Sequence, residues 1–219
     1  ALVDSASQRS NEMIVNVSPQ TIRPMGGSCD PLYLTDRCAD GLGCRGTPPT
    51  CQEGLAPSIT KFGFFKTSSA PLILIEGAEP EDDLTSLQFT FLDAQGKETS
   101  IDSDGDDVRD MSSFDYDATD LAIDGTFFVR FEAAVGLESQ IAKLVVTPSD
   151  KAGHTGASKS VAPTNFPVRS AGQSCDPRGF DTCGTNLVCS PGILGKTNTC
   201  ASAKTLQTNE CKNAPVLVA

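Results

Sequence analysis

Along the middle of this 219-residue chain, apolar and polar residues alternate in short runs with a period of two. In Leu87-Gln88-Phe89-Thr90-Phe91 one face is apolar and the other polar, as a sheet lying on a core demands. Ile59 to Phe65, Leu72 to Ile75, Phe127 to Phe131 and Ile141 to Val146 are likewise rich in β-branched and aromatic residues. Turn signals such as Asp93-Ala94-Gln95-Gly96 and Asp124-Gly125 separate these runs. No window carries a 3.6-residue period with caps, so the pattern predicts an all-β domain.

About seven short strands across residues 56–170 fit an immunoglobulin-like or cadherin-like β-sandwich, with a small barrel as the other closure. Upstream, Met13-Ile14-Val15-Asn16-Val17 reads as one more short strand, followed by Pro19 and Pro24.

Two cysteine clusters flank the predicted sandwich. The first is Cys29, Cys38, Cys44 and Cys51, spaced C-x8-C-x5-C-x6-C; the second is Cys175, Cys183, Cys189 and Cys200, spaced C-x7-C-x5-C-x10-C. Both open on Ser-Cys-Asp-Pro, and a shift of 146 residues also aligns Val15 with Val161, Ile22 with Val168, Arg23 with Arg169 and Gly26 with Gly172. The chain therefore reads as part of a tandem array. Residues 1–25 are the tail strand of a preceding repeat, 26–52 and 172–200 the four-cysteine modules, and 201–219 a linker and the start of a next repeat. The last assignment rests on Ala214-Pro215-Val216-Leu217, which echoes Ala56-Pro57-Ser58-Ile59.

A module of roughly 25 residues cannot bury enough apolar surface to fold alone, so covalent staples replace the core. Four cysteines permit three pairings, and spacing alone selects none. The interlaced pattern, first to third and second to fourth, is preferred because it cross-links more of the loop. Zinc is the competing reading, but neither cluster contains a C-x2-C pair and His154 is the sole histidine. Cys211 has no counterpart after Cys51 and is the candidate for an unpaired or intermolecular thiol. A rigid spacer is favoured over a binding knuckle as the role of the modules.

Nine cysteines point to an oxidising compartment, and hence to a secreted or cell-surface protein. No apolar run approaches a membrane span, and no secretory signal or lipidation motif is present. Because the chain starts at Ala1, the expectation is a processed or excised piece of a longer precursor. No membrane insertion is expected, and a formal charge of −11 disfavours nucleic acid and anionic membranes as partners and suits cations or basic surfaces.

The acid is concentrated. Residues 76–120 hold 15 Asp or Glu against Lys97 and Arg109 alone. In Asp102-Ser103-Asp104-Gly105-Asp106-Asp107, alternate residues of an extended loop point carboxylates one way, so Asp102, Asp104 and Asp106 are candidate calcium ligands. The twelfth position, which carries a bidentate Glu in an EF-hand, is Ser113 here, so the loop is not an EF-hand. A solvated loop that uses Asp for local turns is the alternative.

Glu79-Pro80-Glu81-Asp82-Asp83-Leu84 resembles the Asp-Pro-Asp-Gly-Asp signature between strands of bacterial cadherin-like and immunoglobulin-like repeats. With the Cys-Asp-Pro…Cys-x-x-Gly-Leu-x-Cys modules, the chain is similar to large repetitive surface proteins of myxobacteria. The resemblance implies a surface stalk or adhesin, with calcium as its only cofactor and Glu79, Glu81 and Asp83 as acidic ligands. Here Glu replaces Asp twice, and Asp82 stands where Gly is usual. Within the modules, Gly41 is matched by Asn186, which also tolerates a left-handed backbone.

Catalysis has little to rest on. His154 lies in a glycine-bounded loop that reads as exposed, with no sign of a base held by a third group. Two Tyr and no Trp leave little to stack a sugar, and there is no phosphate loop or redox C-x-x-C. Two functions remain: a non-catalytic structural repeat of an extracellular fibre, stalk or filament, or an adhesive module recognising a glycan or another surface. Partners would be neighbouring repeats or further copies, with residues 12–18 as a strand free to pair with another molecule.

Overall fold

The computed structural model describes residues 20–32, 35–119, 121–191 and 197–202; the strand assigned to 12–18, Cys211 and the next-repeat start at 214–217 lie outside them. Two compact units divide between Gly54 and Leu55.

In the first unit, β1 (Thr21–Arg23) pairs in parallel with β2 (Asp36–Cys38), and β3 (Leu42–Arg45) pairs antiparallel with β4 (Thr50–Glu53). The interlaced disulfides Cys29–Cys44 and Cys38–Cys51 bridge Cα atoms 5.8 and 5.4 Å apart. Cys29, Cys38 and Cys51 are themselves the buried core, with Leu42 and Cys44 packed against them. Sulfur does here what leucine does in a larger domain.

The second unit is a sandwich with a cysteine module docked on it. Its strands are β5 (Ser58–Lys66), β6 (Leu72–Ala78), β7 (Leu84–Leu92), β8 (Ser113–Asp117), β9 (Ala122–Ile123), β10 (Thr126–Glu132), β11 (Lys143–Asp150), β12 (Lys159–Val161) and β13 (Thr164–Asn165). One sheet runs β13-β5-β6-β10-β9 and the other β12-β11-β7-β8. Every pairing is antiparallel except β13 on β5. The five predicted strands of this region fall on β5, β6, β7, β10 and β11; the four that periodicity did not separate are two to five residues long. One helical turn, α1 (Leu137–Gln140), also forms, too short to leave a period in the sequence.

Alternation decides what faces inward. Leu87, Phe89 and Phe91 of β7 and Leu144 and Val146 of β11 point from one sheet; Phe64, Ile73, Ile75, Phe127 and Val129 come from the other. They close a single core between the layers. Strand β6 departs from alternation, because Leu72, Ile73, Leu74 and Ile75 are all buried. Its outer face is covered as well: Leu72 and Leu74 join Phe65 and Phe180 in a second cluster.

Phe180 belongs to the second module. There β14 (Val168–Arg169) pairs in parallel with β15 (Thr182–Cys183), β16 (Leu187–Ser190) pairs antiparallel with β17 (Thr199–Ser202), and the disulfides are Cys175–Cys189 and Cys183–Cys200. The two modules repeat one another bond by bond. Arg23 Nε reaches Asp36 at 3.1 Å as Arg169 Nε reaches Asp181 at 2.9 Å. The Gly26 N–H donates to the Cys51 carbonyl as that of Gly172 does to Cys200. Gly41 and Asn186 both hold positive φ, 76° and 62°.

The second module is fixed to the sandwich through its Arg178-Gly179-Phe180 tip. The Phe180 ring stands edge-on to Phe65 and Phe128, with centroids 6.5 and 6.3 Å apart, and Phe65 stacks on Phe166 at 4.4 Å. Lys61 pairs with Asp176 and lies 4.2 Å over the Phe180 ring, while Arg178 reaches Glu76 at 3.1 Å. Gly63 makes room for this packing: a Cβ there would lie 2.3 Å from the Phe65 ring.

Candidate cation site

Strand β6 runs out at Ala78, and the chain crosses to the other sheet through Glu79–Asp83 before β7 begins at Leu84. The crossing is tightly tied. The Glu79 N–H donates to the Gly125 carbonyl (3.0 Å), the Asp82 N–H to the Glu79 carbonyl (3.1 Å), and the Gly125 N–H to Asp82 Oδ1 (2.7 Å). Asp82 adopts φ 56°. This is why the residue in the usual glycine place works here: Asp is among the few residues that tolerate a left-handed backbone, and its side chain bonds locally.

The crossing turns Glu79 inward. Its side chain is closed off from solvent, and Oε2 has no hydrogen-bond partner. Asp83 Oδ1 is also buried without a partner. Opposite them, β11 ends on Asp150, which is 5% exposed. The Lys151 N–H donates to the Asp83 carbonyl at 2.9 Å and fastens that turn to the crossing. One oxygen from each of Glu79, Asp83 and Asp150 lies within 4.8 Å of the other two.

Burial pushes the Glu79 carboxyl up to about 8, and the charges of Asp83, Glu81 and Asp150 push it the same way, against the Glu81 N–H that donates to it. Asp83 is raised too, by burial first and then by the charge of Asp150, against the neighbouring Glu79 carboxyl, which in its protonated form can donate to it. Three carboxylates in a closed space disfavour one another's ionised form.

His154 differs from the sequence expectation of an exposed loop residue. Its Nδ1 lies 2.7 Å from Asp150 Oδ2, and its N–H donates to Asp150 Oδ1 at 2.8 Å. Imidazole and backbone together hold the Asp150 carboxylate in place.

Two of the three residues taken from the acidic signature, Glu79 and Asp83, thus meet, and Glu81 does not join them. Its Oε2 accepts the Leu55 N–H at 3.2 Å instead. Asp150 takes its place. Asp150 carries no local signal in Ser149-Asp150-Lys151, and only the pairing of β11 with β7 brings it to the crossing.

Asp102, Asp104 and Asp106 form a separate group, with one oxygen of each within 4.8 Å of the others. Its character is different. Asp102 accepts from the N–H groups of Gly105 (2.7 Å) and Asp107 (3.0 Å), Asp104 from Asp106 (3.2 Å), and Asp106 from Val108 (2.8 Å). The Gly105 N–H, above all, holds Asp102 below the ordinary carboxylate range. These carboxylates cap their own turn, and Asp104 and Asp106 are exposed.

A third feature is an open groove of about 810 Å³ where the second module meets the sandwich. Lys61, Glu76, Arg169, Asp176, Arg178 and Asp181 line it, and they are paired with one another. Among the described residues no helix is long and apolar enough to cross a membrane. Neither a protein-family model, nor a curated protein, nor a solved structure matches this chain.

Proposed function

We propose that this chain is a non-catalytic structural repeat of an extracellular fibre, stalk or filament, built from immunoglobulin-like sandwiches alternating with disulfide spacers. The observation that carries this reading is the bond-by-bond identity of the two cysteine modules, one of them locked to a sandwich through Phe180. A spacer that docks by an aromatic plug and two ion pairs transmits orientation, which a flexible linker cannot. The sheet orders support the sandwich assignment: leaving aside β13 at the edge, β5-β6-β10-β9 against β12-β11-β7-β8 matches the A-B-E-D against G-F-C-C′ order of immunoglobulin domains. Four disulfides favour an oxidising, extracellular setting.

An antibody against this chain, applied to reduced denaturing gels of secreted, surface and interior fractions of the source cells, tests the proposal. The expected result is an extracellular species far larger than 22.9 kDa after reduction. A signal confined to the cell interior, or a reduced band at 22.9 kDa, overturns the repeat reading.

The adhesive reading has one observation in its favour, the charged groove beside Phe180. Its ion pairs already satisfy one another, so a ligand there would have to displace them. Binding of the intact chain on a glycan array, lost in the Arg178→Ala variant, would favour adhesion over the spacer.

A further inference from the structure

We propose that Glu79, Asp83 and Asp150 bind a calcium ion that joins the two sheets at one end of the sandwich. The chemistry follows from the donor set. All three ligands are carboxyl groups whose oxygens converge within 4.8 Å, and a bound cation would replace the proton that their crowding retains. An acidic cluster alone is no site, since exposed carboxylates commonly gather around turns. Here Glu79 is fully enclosed and contributes one carboxylate oxygen to the cluster, its Oε2 has no hydrogen-bond partner, and Asp83 Oδ1 is likewise buried and unpartnered. Burying an acceptor with nothing to donate to it costs about 1–3 kcal/mol, and more for a charged one. A cation removes that cost at both oxygens at once.

The kind of cation is set by what the site offers and what it has already committed. Zinc and copper prefer nitrogen or sulfur. The one imidazole at hand, His154, spends Nδ1 on Asp150. It is therefore a positioning residue that orients a ligand, as outer partners of metal sites do. A hard ion with oxygen ligands remains. Calcium accepts irregular sets of six to eight oxygens completed by water and carbonyls, whereas magnesium demands a near-ideal octahedron. Glu79 leaves β6 in the five-stranded sheet; Asp83 enters β7, and Asp150 ends β11, in the four-stranded one. One ion would thereby tie the end of β6 in one sheet to the paired ends of β7 and β11 in the other.

The self-capped loop at Asp102 serves as the internal control. Isothermal titration of CaCl2 into the intact, metal-stripped chain at pH 7.5, with melting in EDTA and in excess CaCl2, tests the assignment. The expected result is one calcium per chain and a melting temperature about 5–10 °C higher in calcium. Glu79→Gln, nearly the same shape without the buried charge, should melt no lower than wild type in EDTA and lose both the heat and the calcium increment. Asp104→Asn combined with Asp106→Asn should keep both.

No heat and no melting shift in the wild type overturns the proposal. So does loss of binding in the Asp104/Asp106 variant with retention in Glu79→Gln. An equal response to MgCl2 overturns calcium as the ion. A metal-free Glu79→Gln that is stabilised while wild type ignores calcium means that a shared proton, not a metal, relieves the cluster. Should Glu79→Gln fail to fold, stoichiometric binding retained in the Asp104/Asp106 variant supports the buried site, and binding lost there overturns it.

Discussion

A single backbone angle illustrates how a residue choice is forced. The position after the second cysteine's turn requires a left-handed backbone in both modules, filled by Gly41 at φ 76° and by Asn186 at φ 62°. A residue with an ordinary Cβ loses roughly 1–2 kcal/mol there, whereas Asn recovers part of that through its short polar side chain. Asn186→Ala should therefore lower the stability of the second module by about 1 kcal/mol, while Asn186→Gly should be neutral within a few tenths. Hydrogen exchange of residues 182–190 measures the difference. Equal protection in the two variants would mean that the left-handed turn is not what Asn186 is kept for.

At the scale of elements, what could be read from the sequence was whatever repeats locally. Short runs rich in β-branched and aromatic residues disclosed β5, β6, β7, β10 and β11, and the preference for interlaced disulfides agrees with the bonds formed. The continuous run Leu72-Ile73-Leu74-Ile75 already carried a further message, because a strand apolar on both faces must be covered on both. What covers it was not legible: Phe180 lies more than a hundred residues away and inside a module that looked self-contained. The same limit hid Asp150, whose membership of the acidic site is a product of strand pairing. Strands of two or three residues, such as β9 and β13, carry too few alternations to register. The plug itself makes two predictions. Phe180→Ala should cost about 3–5 kcal/mol of docking free energy and open the 166–190 segment to limited proteolysis while the sandwich survives. Acid should act in the same direction. Burial alone would raise Asp176, yet the Lys61 ammonium and the Arg178 N–H hold it below the ordinary carboxylate value. A lowered carboxylate contributes stability above the unfolded value that is lost as pH falls through the folded one. Docking should thus weaken below about pH 4, and Asp176→Asn should remove that dependence; an unchanged acid response in the variant would assign it to another group.

Across the whole molecule, two ways of holding a chain together operate side by side, and reduction separates them. The sandwich owns a continuous apolar core, with Phe64, Phe89, Phe91, Phe127, Ile73, Ile75 and Leu144 enclosed between its sheets. Among the described residues the first unit has no such reserve, since its core is Cys29, Cys38 and Cys51 with Leu42 at the side. Closing loops of 13 to 17 residues removes about 3 kcal/mol of unfolded-chain entropy per bridge, and a domain this small is worth little more than that in total. Thiol reductant at neutral pH should therefore melt residues 20–53 completely while β5 to β11 keep their hydrogen-exchange protection. The second module should fall between these extremes, because Phe180 and the pairs to Lys61 and Glu76 persist when its disulfides do not. Exchange mass spectrometry before and after reduction resolves the three behaviours. Should the reduced first module remain protected, its cysteines would be passengers in a fold held by something else. Should the sandwich unfold along with the modules, the docked module would be part of the sandwich core, and the cooperative folding unit would end after Cys200 and not at the edge of the β-sheets.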